Sequence, residues 1–141
     1  MYKKILIPLD HSPADQVILK HIHSLAQMMK ADLILVHVAD GYAARFQEEL
    51  NLADSQEIKD DRFYLENQKK ELTRQGFNVN TYLVGGEPAD QILAIADKEN
   101  CDLIAMSTHG HRFFKDILLG SVAENIRHRT DIPILMIRSQ P

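Results

Sequence analysis

The sequence predicts an α/β domain, doubly wound, on a five-stranded parallel sheet. Two observations lead there. Short apolar runs, five in all, alternate along the chain with helical patterns whose apolar residues recur three and four apart. Most of these runs are near-continuous rather than alternating, which marks parallel strands covered on both faces. Strand and helix in regular succession give right-handed βαβ units and a doubly wound sheet. In such sheets a ligand binds outside the carboxyl ends of the strands, where the strand order reverses.

The elements follow in order. "ILIPLD" (Ile5 to Asp10) opens as a buried strand that Pro8 stops. Ser12 is the expected N-cap of the first helix, with Pro13 at its first position. Ile18, Ile22, Leu25 and Met29 form the apolar stripe of that helix, which reaches about Lys30. "DLILVHV" (Asp32 to Val38) is the second strand. From Ala39 to Ser55 the pattern is weak and reads as a loop with some helix. Ile58, Leu65 and Leu72, spaced by seven, predict a helix that Gly76 ends. The charged residues from Glu57 to Arg74 read as its solvated face.

Asn78 to Val84 is the third strand. A helix then begins near Pro88, with Ala89, Ile92 and Ala96 inward. Asp102 to Ser107 is the fourth strand. After a loop, a helix runs from Ser121 to about His128, and "IPILMIR" (Ile132 to Arg138) is the fifth strand.

A chain of 141 residues fits one domain, 1–141, without linker, repeat or low-complexity segment. The single Cys101 excludes an intrachain disulfide and any CxxC site; it reads as a small half-buried thiol beginning a strand. The N-terminus lacks a signal-peptide pattern, and the apolar runs fall far short of the ~20 residues that span a bilayer. A soluble chain of a reducing compartment, the cytoplasm, is expected, with no membrane partner. A net charge of −4 argues against a general nucleic-acid binder.

The loop "STHGHRFFKDILLGS" (Ser107 to Ser121) is locally basic in this acidic chain. It lies between a strand and a helix, at the carboxyl edge of the sheet. Gly120 and Ser121 open the helix, whose first amides and peptide dipoles suit a phosphate. His109, His111, Arg112 and Lys115 add positive potential. Neither GxxxxGK[ST] nor GxGxxG is present. The residues leave two readings open: a phosphate site, or an ordinary connection packed down by Phe113, Phe114, Leu118 and Leu119.

The chain resembles the universal stress protein family over essentially its full length. The nucleotide pattern of that family is glycine, two residues, glycine, nine residues, then glycine with serine or threonine. Here Gly110, nine residues and Gly120-Ser121 match it, and Ser107 replaces the first glycine. "KKILIPLDHS", "LVHV", "GEPADQI", "MSTHG" and "ILLGSVAENI" are also similar to family segments. The resemblance implies a Rossmann-like fold of the adenine nucleotide alpha hydrolase type, with strand order 3-2-1-4-5. It implies a regulatory module of the stress response that binds ATP, or AMP or ADP, with Mg²⁺.

By position, Pro8, Leu9 and Asp10 would lie along the adenosine end. Val38 would offer its backbone to the adenine edge, and Met106 and Ser107 would flank the ribose. Thr108 and His109 belong to the same segment. Gly110, His111, Arg112, Gly120, Ser121 and Val122 would surround the phosphates, largely through backbone N–H groups. Asp10 would reach a metal bridged to phosphate, or else cap the next turn through its own backbone.

Other candidates are weaker. His109 and His111 lack further ligands at metal spacing. His21 and His23 point to different helix faces, and His37 reads as a satisfied core histidine. No catalytic residue is assigned, and hydrolysis is expected to be slow at most, with no general base. The last strand would present an open edge, which proteins usually cover. The family implies a homodimer through that strand, with Ile134 and Met136 near the contact; the Gln140-Pro141 tail is too short to cover it. Two other functions stay open: a nucleotide-free dimeric scaffold acting on a protein partner, and a phosphotransferase using Asp10 and the loop histidines.

Overall fold

A computed structural model describes residues 1–39, 56–108 and 122–139. The elements run β1 (Lys4–Pro8), α1 (Ala14–Met29), β2 (Asp32–Ala39), α2 (Gln56–Arg74), β3 (Val79–Gly85), α3 (Pro88–Glu99) and β4 (Leu103–Thr108). A helix α4 (122–127) and β5 (Ile134–Arg138) complete them. The strands form one all-parallel sheet in the order β3-β2-β1-β4-β5, as expected.

The two-residue period of a strand divides the core in two. Ile5 and Ile7, Leu33 and Leu35, and Leu103 and Ala105 face α1 and α2, where they meet Ile18, Ile22, Leu65 and Leu72. Leu6, Ile34, Val36, Ile104 and Met106 face the other way, onto Ala89, Ile92 and Ala96 of α3 and Val122, Ala123 and Ile126 of α4. Both faces of the central strands are therefore apolar, which is why those runs do not alternate.

Element ends shift by one or two residues from expectation. Pro13, not Ser12, occupies the cap position of α1, and no side chain caps it there. The Ser12 hydroxyl instead accepts from the Ala14 N–H at 3.3 Å and donates to the Asp10 carboxylate. β5 begins at Ile134 because Pro133 has no N–H for the ladder; its carbonyl still accepts from Ile104 at 3.0 Å. Gly76, at φ 100°, carries the chain out of α2, and the Phe77 N–H closes that end on the Leu72 carbonyl. Cys101 is buried just before β4, and burial pushes its thiol up to about 11. Most of the weakly patterned stretch, residues 40–55, lies outside the described residues.

Leu6, fully buried on the central strand, has no room to relax. Leu6→Ala is expected to destabilise the fold by about 2–5 kcal/mol, read as a lower urea midpoint at unchanged slope.

Candidate functional site

The sheet opens at the carboxyl end of β1. β1 pairs with β2 from Lys4↔Asp32 through Pro8↔Val36. With β4 it pairs only at Ile5↔Leu103 and Leu6↔Ile104. Beyond that point β4 stays with β5, as far as Thr108↔Arg138. The cause is local. Along a strand, successive peptide groups point to alternate neighbours. The Lys4 carbonyl accepts from Asp102, on the β4 side, and the Leu9 N–H donates to Val36, on the β2 side. Position 8 therefore faces β4, and proline has no N–H to give it. The result is a crevice between β1 and β4 where the strand order reverses.

The turn after β1 is held by a buried carboxylate. Asp15, in the first turn of α1, is 2% exposed. Its Oδ1 accepts from the Asp10 N–H at 3.0 Å and its Oδ2 from the His11 N–H at 2.9 Å. Tyr64 of α2 also donates its hydroxyl to Oδ2, at 2.6 Å. His11 takes a left-handed conformation, φ 61°, and its ring stacks on Tyr64 with centroids 4.0 Å apart. Its Nδ1 lies 2.8 Å from Asp61 of α2, and the other Asp61 oxygen lies 3.1 Å from His37 Nε2 on β2. His37 Nδ1 donates to the Leu9 carbonyl at 2.8 Å.

Several of the expected site residues fall at the crevice. Pro8 ends β1, with Leu9 buried and Asp10 half-buried just beyond it. Met106, Ser107 and Thr108 form the end of β4. Met106 is fully buried in the α3/α4 face with Val122, and Val38 packs against the same cluster near the end of β2. The Ser107 hydroxyl is buried and has no hydrogen-bond partner among the described residues. His109, Gly110, His111, Arg112, Gly120 and Ser121 lie outside the described residues.

A ligand hydroxyl or other polar group would satisfy the orphan oxygen of Ser107, so the residues present fit a polar ligand in this crevice. Among the described residues, no group of three or more His, Cys, Asp or Glu is arranged to hold a metal ion. The Asp10 carboxylate, at the crevice, accepts from the Ser12 hydroxyl.

The sequence reading missed Asp15, Asp61 and Tyr64. It took the charges of α2 for a solvated face, yet Asp61 is 6% exposed. The signal was there: Asp61 stands three residues after Ile58 and four before Leu65, on the apolar stripe itself. His37 is buried, with Nδ1 hydrogen-bonded to the Leu9 carbonyl and Nε2 3.1 Å from the Asp61 carboxylate, as a satisfied core histidine should be. His21 is exposed, and His23 sits edge-on to Phe77 at the boundary.

The family model for the universal stress proteins matches residues 1–138. Universal stress protein MJ0577 of Methanocaldococcus jannaschii is 35% identical, covering 98% of this chain and 96% of its own. A solved structure of MJ0577 superposes with a TM-score of 0.83 at 36% identity, covering 99% of this chain and 98% of its own. A universal stress protein from Archaeoglobus fulgidus, solved in complex with dAMP, superposes with a TM-score of 0.70 at 19% identity, covering 96% and 98%. Another, solved in complex with cAMP, gives 0.70 at 19% identity, covering 99% and 98%.

Burial pushes the Asp15 carboxyl up to about 6, against the lowering effect of its bonds from Tyr64 and the Asp10 amide. Burial, and then the bond to Asp15, raises the Tyr64 phenol well above its ordinary value, so it remains a donor. The folded chain thus binds a proton that the unfolded chain releases from about pH 4. The stability contributed by Asp15 should fall as pH rises from about 4 to about 6 and then level off. Urea unfolding across that window should show the slope in the native sequence and a flatter curve in Asp15→Asn; equal slopes would count against the assignment.

Proposed function

This chain belongs to the universal stress protein family, and on that premise we propose that it is a regulatory module of the stress response that binds an adenine nucleotide in the β1/β4 crevice. The observation that carries the reading is the parting of β1 from β4 beyond Leu6↔Ile104. The Ser107 hydroxyl at the end of β4, without a partner among the described residues, supports it, as do the adenylates bound by two structural neighbours. We take the ligand to be ATP, with AMP and ADP as related occupants.

Pro8, Leu9 and Asp10 line the adenosine end, and Val38 offers its backbone to the adenine edge. Met106 and Ser107 flank the ribose, where the Ser107 hydroxyl takes the place of a family glycine. Thr108 and His109 lead into the phosphate segment. Gly110, His111, Arg112, Gly120, Ser121 and Val122 surround the phosphates. Asp10 offers a carboxylate to the Mg²⁺ that the phosphates carry; the ion supplies charge neutralisation there. Residues 1–141 act as one domain in the cytoplasm.

The sheet edge supports a homodimer. Among the described residues β5 has β4 on one side and no strand on the other, and Met136 is 43% exposed on it. An open edge of this kind is covered in native proteins. A nucleotide-free scaffold dimer is the competing reading, favoured by the side chain at Ser107 in place of glycine.

Denaturing the purified protein and identifying the released small molecules by mass spectrometry separates the two. ATP, ADP or AMP near one per chain is the expected result; none, with no binding of added ATP, leaves the scaffold. Gly120→Val should crowd the phosphates and weaken ATP binding by about tenfold, roughly 1.4 kcal/mol, while sparing the fold. Met136→Lys should shift the chain from dimer to monomer in sedimentation; an unchanged dimer would place the contact elsewhere.

A further inference from the structure

Beside the crevice, two histidines share one buried carboxylate. Asp61 faces His11 Nδ1 through Oδ1, at 2.8 Å, and His37 Nε2 through Oδ2, at 3.1 Å. On the far side of the His37 ring, Nδ1 is 2.8 Å from the Leu9 carbonyl. A carbonyl only accepts, so that nitrogen carries a hydrogen. Nε2 then meets a carboxylate oxygen, another acceptor when ionised. The His11 Nδ1–H fills the other oxygen. A continuous line of polar contacts thus runs from the end of β1, through β2, to α2 and back to the β1–α1 turn.

α2 depends on this line at its amino-terminal end. Before Leu65, only Ile58 and Asp61 of that helix are buried. One turn on, Tyr64 adds a second grip: it stacks on His11 and donates to Asp15, which in turn holds the amides of Asp10 and His11. Asp61 and Tyr64 therefore hold the same short turn from two sides, the Leu9 carbonyl and the His11 ring on one, the turn amides on the other. No other contact of α2 with this turn involves a buried charge among the described residues. A buried carboxylate without its partners is costly, so the turn and the helix should move as one unit.

We propose that Asp61 is a positioning residue of the crevice: it ties α2 to the β1–α1 turn, so that nucleotide occupancy and the docking of α2 are energetically coupled. The ligand in this statement rests on the reading under "Proposed function"; the tie does not. Coupling is reciprocal, so what the ligand gains from a well-placed turn, α2 gains from the ligand. The helix is then the element through which the state of the crevice reaches the α2 surface.

The test uses Asp61→Ala, Asp61→Asn and His11→Phe, with ATP affinity, histidine-ring NMR and amide exchange as readouts. Asp61→Ala should weaken ATP binding by about fivefold or more, shift the His11 and His37 ring resonances and move the amides of Leu9 to Ser12. Asparagine can donate its amide to His37 Nε2 and accept from His11 Nδ1–H, so Asp61→Asn should restore both affinity and turn amides. ATP should slow exchange in α2 of the native sequence and fail to do so in Asp61→Ala. A folded Asp61→Ala with native affinity and native protection of α2 overturns the proposal.

If Asp61→Ala does not fold, His11→Phe decides. It keeps an aromatic ring beside Tyr64 and removes the bond to Asp61. Faster exchange at residues 58–65 supports the tie, and unchanged exchange overturns it. If the native chain binds no ATP, the nucleotide reading falls alone. The tie is then judged without ligand, and unmoved Leu9 to Ser12 amides in Asp61→Ala would overturn it.

Discussion

Even-numbered residues of β1 turn their peptide groups toward β4 and odd-numbered ones toward β2, and at position 8 the even series reaches a proline. The ladder to β2 continues past it; the ladder to β4 has already ended. Because β4 remains paired to β5, the opening falls between β1 and β4 rather than spreading through the sheet. The crevice falls where the strand order reverses, and Pro8 leaves no N–H to carry the ladder across it. The segments that face it, Leu9 to Ser12 and Met106 to Thr108, are there because their strands end there.

A crevice needs a wall that keeps its shape, and here the wall is a turn that anchors only Leu9 in the apolar core. Its order comes from carboxylates. Asp15 holds two turn amides from beneath, and Asp61 holds a histidine on each side. Burying these groups costs desolvation, as the raised Asp15 carboxyl records. What that cost secures is direction. Hydrogen bonds fix the orientation of Leu9 and His11 in a way that apolar packing, which is non-directional, does not. The left-handed backbone at His11 persists for the same reason: the contacts around it over-determine it.

The opposite wall is built differently. Met106 is sealed into the α3/α4 core, and Ser107 beside it keeps a buried hydroxyl without a partner among the described residues. Among the described residues, Ser107 on this wall is the one buried side chain whose polar atom has no partner. In the proposed reading, a ligand bonds on the β4 side and the turn on the β1 side sets where it lies.

The strands, the helices and their two apolar faces were legible along the chain because periodicity and proline or glycine punctuation are local properties. Ile5, Leu6 and Ile7 announce a strand buried on both sides, and Pro88 announces a helix start, whatever the rest of the chain does. Strand order 3-2-1-4-5 came from likeness to a family, since no pattern in the residues encodes which strand lies beside which. The role of Asp61 was out of reach for a related reason. Its partners are His37 on β2 and His11 in a turn 50 residues away, and a charged residue on an apolar stripe gives no sign of which distant group will meet it. Local chemistry dictates which segments are apolar and where they stop. Which polar groups meet in the interior, and so which turn is held and which crevice opens, is settled only when strands far apart in the chain come to lie side by side.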